Sequence, residues 1–118
     1  MKGVAVELLF DYLLTEKGFK VLRPVFDDGY DRVVDSGGKM SRVQIKSTSS
    51  KQRGSAYGVK TCGRKDRRYN DEFDFYAIYI KPKCAWMIIP ASLIKASNIK
   101  ITIDGKYSKY LNNWDQLR

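Results

Sequence analysis

Histidine is absent from all 118 residues, and cysteine occurs only as Cys62 and Cys84. Without imidazole the chain has no Ser-His-Asp or Cys-His catalysis, no His-metal nuclease site and no zinc finger that needs His. Two thiols cannot form a four-cysteine zinc site within one chain; a disulfide between them and a pair of reduced intracellular thiols both remain open. Long apolar runs are missing too. The longest, Ala85 to Pro90, is far short of the ~20 residues of a membrane-spanning helix, so no membrane partner is expected. Glu7 and Asp11 interrupt the uncharged stretch that a signal peptide requires, and the expected location is the cytoplasm of a prokaryote or of a phage-infected cell. Any chemistry must rest on carboxylates, amides, lysines and hydroxyls.

What is present is enough for one core. At 43% hydrophobic and 13% aromatic residues, residues 1–118 read as a single folded domain. Positive charge is in excess, with 22 Lys and Arg against 13 Asp and Glu, a net charge of +9. It is also uneven. Lys51, Arg53, Lys60, Arg64, Lys65, Arg67 and Arg68 are opposed only by Asp66, which puts +6 of the +9 between Ser49 and Asn70. This segment also carries Gly54, Gly58, Gly63, Tyr57 and Tyr69. Such a composition suits a phosphate backbone, although a solvated loop that aids solubility would look the same.

Hydrophobic spacing predicts a helix over Lys2 to Lys17, stopped by Gly18 and apolar nearly all round, hence largely buried. A short strand over Phe19–Leu22 follows, then a turn at Asp27-Asp28-Gly29. Tyr30–Asp35 and Lys39–Ser47 read as a hairpin across Ser36-Gly37-Gly38. Residues 49–72 are expected to form a long basic loop. Phe73–Ile80 and Ala85–Ile89 form a second strand pair ended by Pro90, with a helical turn over 91–95 and an edge strand over Ile99–Ile103. Tyr107, Tyr110, Leu111 and Trp114 have the spacing of a closing helix. The result is an α/β domain: an N-terminal helix and a mixed central β-sheet with flanking helices.

Four polar residues stand out. Glu7 is a carboxylate inside the most apolar helix, costly to bury unless paired or metal-bound. Asp31 opens the second strand. Gln44 and Lys46 flank Ile45 and by strand alternation share one face, opposite Val43 and Ile45. The hairpin brings Asp31 beside them. Two carboxylates, an amide oxygen and an ammonium group then suit phosphodiester hydrolysis with Mg²⁺. Each residue also has a plainer reading: Glu7 as a helix carboxylate favoured by the macrodipole or paired with Lys2, Asp31 as a strand start, and Gln44 and Lys46 as the solvated face of an edge strand.

Glu7, Tyr30-Asp31 and Val43-Gln44-Ile45-Lys46-Ser47-Thr48 together resemble the PD-(D/E)xK nuclease core in the variant with glutamine at the second acid. The likeness is greatest to the cyanobacterial group I intron homing endonucleases. It continues through Lys17–Leu22, Phe73–Tyr79, Trp86–Pro90 and Tyr110 before Trp114. The resemblance implies a restriction-endonuclease-like fold and a metal-dependent endonuclease of double-stranded DNA. It would make Asp31 and Gln44 metal ligands with the Ile45 carbonyl, Lys46 the catalytic lysine, and Glu7 a support for the same or a second ion, Mg²⁺ with Mn²⁺ as substitute. The basic residues between Lys51 and Arg68 would hold DNA. Cutting two strands implies a homo-oligomer, a dimer or a tetramer, with Tyr107, Tyr110, Leu111 and Trp114 either at its interface or in the monomer core. This chain departs from the commonest pattern in having Tyr30 before Asp31 and a neutral Gln44. The neutral amide implies weaker metal affinity: a site filled once DNA phosphate completes the shell, or one without activity. A Holliday-junction resolvase of the same fold, which normally keeps an acid at the Gln44 position, and a non-catalytic DNA-binding module are the competing readings.

Overall fold

The computed structural model describes residues 3–26, 29–49, 51, 54–61 and 73–118. Helix α1 runs from Gly3 to Glu16. Gly18, at φ +91°, ends it in the left-handed conformation that only glycine adopts without strain. The Gly18 N–H donates to the Thr15 carbonyl at 3.0 Å and the Phe19 N–H to the Leu14 carbonyl at 3.0 Å, while buried Phe19 packs in the same cluster as Leu14. These are the paired bonds and apolar contact of a Schellman cap. The helix is not buried all round as its composition suggested. Val6, Phe10 and Leu14 face inward, whereas Val4, Leu8 and Tyr12 on the opposite side are exposed. One face of one helix is all that a sheet can cover.

Strands β1 (Lys20–Leu22), β2 (Arg32–Ser36), β3 (Lys39–Thr48), β5 (Phe75–Ile80) and β6 (Ala85–Pro90) form one sheet in the order β1-β2-β3-β5-β6. All neighbours are antiparallel except β3 and β5, which run parallel from Val43–Phe75 to Thr48–Ile80. The β2–β3 hairpin closes at Ser36–Lys39. Its two-residue turn is Gly37-Gly38, both at positive φ, with the Gly38 N–H donating to Asp35 Oδ1 at 2.8 Å. Two consecutive left-handed residues match the right-handed twist of the strands, which is why glycine serves at both.

The sheet is covered on both faces. Helix α1 packs over Val34, Val43, Ile45, Trp86 and Ile88, with Trp114 and Leu117 closing that side. On the other face Tyr76, Ile78, Ile80 and Ile89 pack against Tyr57, Val59 and Ile101. Strands β5 and β6 are therefore buried on both sides and read as continuous apolar runs.

Two expectations change here. Residues 49–72 are not one loop, because Tyr57–Lys60 forms β4, paired antiparallel with β7 (Asn98–Ile101). This pair is a separate two-stranded sheet, so β7 is not an edge of the main one. Nor is there a closing helix over Tyr107–Trp114. Two short 3-10 turns, Ser108–Tyr110 and Trp114–Leu117, stand there instead. Between them Asn112, at φ +49°, exchanges bonds with Trp86: its N–H donates to the Trp86 carbonyl, and its Oδ1 accepts the Trp86 N–H. Pairing with β6 takes the backbone that a helix would need. The turn at Asp27-Asp28 and Cys62 lie outside the described residues, and Cys84 is a free, exposed thiol.

Candidate active site

Asp31 stands immediately before β2, one step beyond the last paired position of the hairpin, Arg32–Val43. Its N–H donates to the Val43 carbonyl at 2.9 Å, and its Oδ2 accepts the Ile45 N–H at 2.7 Å. The carboxylate is thereby tied to the middle of the Gln44-Ile45-Lys46 run. Gln44 and Lys46 alternate away from Val43 and Ile45, and both are half-buried. Their partners across the parallel pair are Tyr76 and Ile78. β3 lies between β2 and β5, so the two polar side chains are not on an edge strand.

Burial pushes the Asp31 carboxyl above its ordinary value of 3.8. The Ile45 N–H pulls the other way, Glu7 adds to the rise, and the charges of Lys46 and Arg32 oppose it without cancelling it. Glu7 and Lys46 thus both act on the Asp31 carboxylate, one from α1 and one from β3. A carboxylate that is costly to ionise gains most from a nearby cation.

Sequence reasoning missed Arg32. It is only 3% exposed, and its guanidinium binds two helix carboxylates at once. Nε and Nη2 donate to Asp11 Oδ1 and Oδ2 at 2.7 and 3.0 Å, and Nη1 donates to Glu7 Oε1 at 3.0 Å and to the Asp31 carbonyl at 2.7 Å. Burial disfavours the charge, but the Asp11 and Glu7 bonds more than restore it, and the Arg32 pKa is raised. Glu7 is accordingly held by Arg32, and the expected Lys2 pairing falls on a residue outside the described ones. The available signal was alternation: Arg32 has the inward parity of Val34, an ionisable group at a core position.

Val4, Glu7, Arg23, Pro24, Val25, Phe26, Tyr30, Asp31 and Arg32 line a cleft of about 320 Å³. Among the described residues no group of three or more His, Cys, Asp or Glu side chains is placed to hold a metal. The oxygen donors near Asp31 in the fold are the Glu7 carboxylate, which lines the same cleft, and the Gln44 amide and Ile45 carbonyl on the neighbouring strand. All are hard oxygens, so the residue types fit Mg²⁺ or Mn²⁺ and not a soft ion. Of the basic residues, Lys51 and Lys60 are exposed, while Arg53, Arg64, Lys65, Arg67 and Arg68 lie outside the described residues.

The fold has counterparts among known proteins. The family model described as PD-(D/E)XK endonuclease matches residues 10–115, a span that contains Asp31, Gln44 and Lys46 but not Glu7. Protein 5.3 of Escherichia phage T7 is 34% identical over 85 residues, which is 68% of this chain and 71% of that protein. The bacterial homing endonuclease I-Ssp6803I superposes with a TM-score of 0.80 at 22% identity, over 98% of this chain and 87% of that one. The Holliday junction resolvase Hjc of Archaeoglobus fulgidus gives 0.69 at 16% identity, over 99% and 96%. With the family model spanning nearly its whole length, the chain belongs to the PD-(D/E)XK endonuclease family.

Proposed function

We propose that the protein is a divalent-metal-dependent endonuclease that hydrolyses phosphodiester bonds in double-stranded DNA, in the manner of a homing endonuclease. The observation that carries this reading is the Asp31 carboxylate bonded to the Ile45 N–H at 2.7 Å, between Gln44 and Lys46. The fold it shares with a homing endonuclease adds support. Neutral Gln44 favours this reading over the resolvase, which normally keeps an acid there.

Asp31, the Gln44 amide oxygen and the Ile45 carbonyl would hold the metal, with Glu7 in support. When bound, Mg²⁺ or Mn²⁺ polarises the phosphate and acidifies water. Lys46 orients the attacking water and steadies the charge that develops on the phosphate. Arg32 fixes Glu7 against Asp11 and offsets its charge. Asp31 would then supply the main free negative charge toward the metal, with DNA phosphate as a further oxygen donor. Cutting both strands takes two such centres, so the working unit is a dimer or tetramer.

The test is cleavage of duplex DNA with Mg²⁺ supplied or withheld. Lys46→Ala and Asp31→Ala should each bind DNA and fold but cut at least about 100-fold more slowly, the usual scale for a lost acid–base or charge-stabilising group. Gln44→Leu should likewise stop cleavage, whereas Gln44→Glu should tighten metal binding and keep some cutting. Wild-type rates in Gln44→Leu would leave Gln44 a plain strand amide and refute the metal site. A four-way junction cut in preference to linear duplex would favour the resolvase.

A further inference from the structure

The cleft beside Asp31 has a mixed lining. Glu7 and Asp31 supply carboxylates to it, while Val4, Val25 and Phe26, which are 71%, 92% and 75% exposed, supply apolar surface, with Arg23 on the same stretch of chain as Val25 and Phe26. Exposed apolar side chains of this size mark a contact surface when they gather at the mouth of a site. Pro24 restricts the backbone that presents them. The cleft, at about 320 Å³, is at the small end of ligand sites.

We infer that this apolar surface is a subsite for one unstacked nucleotide base, seated on the Phe26 ring next to the phosphate that is cut. The inference rests on the nuclease reading and narrows its substrate to DNA distorted at the cleavage site. Four observations converge on that occupant. The apolar surface shares its cleft with Asp31 and Glu7, so a base held there belongs to a nucleotide bordering the cut. A base offers a flat apolar face to Phe26 and Val25, which a paired duplex keeps inside its stack. Arg23, whose Nη2 lies 3.8 Å from Asp11 Oδ2 while two thirds of its side chain stays exposed, complements the phosphate that travels with the base. Finally, the net charge of +9 favours a polyanion over a second copy of this chain on the same face.

The experiment uses the full chain carrying Lys46→Ala, without metal, so that nothing is cut. Its affinity is measured for a paired duplex and for the same duplex with one unpaired 2-aminopurine nucleotide, whose fluorescence falls on stacking. The unpaired DNA should bind at least about tenfold tighter, with quenched fluorescence. Adding Phe26→Ala should remove the preference and the quenching while changing affinity for paired duplex less than about twofold, and Phe26→Trp should restore both. Equal loss on both DNAs, or none, would overturn the subsite. So would light scattering showing a dimer that Phe26→Ala dissociates, since Phe26 would then lie between copies. Failure of the nuclease reading is separate: the wild type with Mg²⁺ would cut neither DNA while the binding preference stood.

Discussion

Asp31 and Asp74 are carboxylates with opposite consequences for the fold. Burial presses on both, but at Asp74 the Arg42 side-chain and backbone bonds and the Arg42 charge outweigh it, and the pKa falls below 3.8. Asp74 therefore contributes stability above 3.8, lost as pH falls through its lowered value. Asp31 is raised, so its contribution is fully present below 3.8 and is lost as pH rises through the folded value. At neutral pH the ionised Asp31 is a cost that the fold carries for its site. Asp31→Asn keeps an oxygen for the Ile45 N–H and removes that cost. In a metal-free thermal melt near neutral pH it should raise Tm, with the difference vanishing below 3.8, while cleavage is lost. A lowered Tm would mean that Asp31 has a structural partner in its charged form.

Among the elements, β3 does most to assemble the site. Its antiparallel pairing with β2 sets Asp31 against Ile45, and its parallel pairing with β5 encloses Gln44 and Lys46. Helix α1 is tied to this pair through Arg32, whose buried charge requires both Glu7 and Asp11. The basic segment that follows β3 runs in sequence from Lys51 through β4 to Arg68, and we propose that it binds the DNA backbone. If Lys51, Arg53, Arg64, Arg67 and Arg68 each neutralise one phosphate, log K against log salt should have a slope of about −4 to −5, from −0.9 per contact. Neutralising all five should flatten it. An unchanged slope would move the DNA-binding surface to another face.

For the whole molecule, the aromatic cluster near the C-terminus bears on assembly. Tyr107 and Trp114 are each 7% exposed and belong to the two cores, so they are not available to a second copy. Tyr110 and Leu111 are half-buried against the second core. The most exposed apolar residues of α1 are Val4, Leu8 and Tyr12, on the face turned away from the sheet. A homo-oligomer, if formed without DNA, should therefore persist when Tyr107 is changed to Phe. Light scattering at micromolar concentration should show at least a dimer. A monomer that makes double-strand breaks in one encounter would remove the need for two copies.

Much of this was legible locally. The strand parity of Gln44-Ile45-Lys46, the Gly37-Gly38 turn and the Gly18 stop depend on period and backbone freedom, which neighbouring residues impose by themselves. The residue types open to a site were legible in the same way, because oxygen donors and a lysine are what remain once histidine is missing. Contacts between distant segments were not legible. Apolar spacing in α1 could not say which side the sheet would cover, since Val4, Leu8 and Tyr12 repeat as regularly as Val6, Phe10 and Leu14. Asn112 looks helical until Trp86 is placed beside it. Arg32 looked like a strand residue until the fold set it against Glu7 and Asp11, 25 and 21 positions away. A buried charge finds its partners only through tertiary packing, and that packing determined how much free negative charge Asp31 keeps beside Lys46.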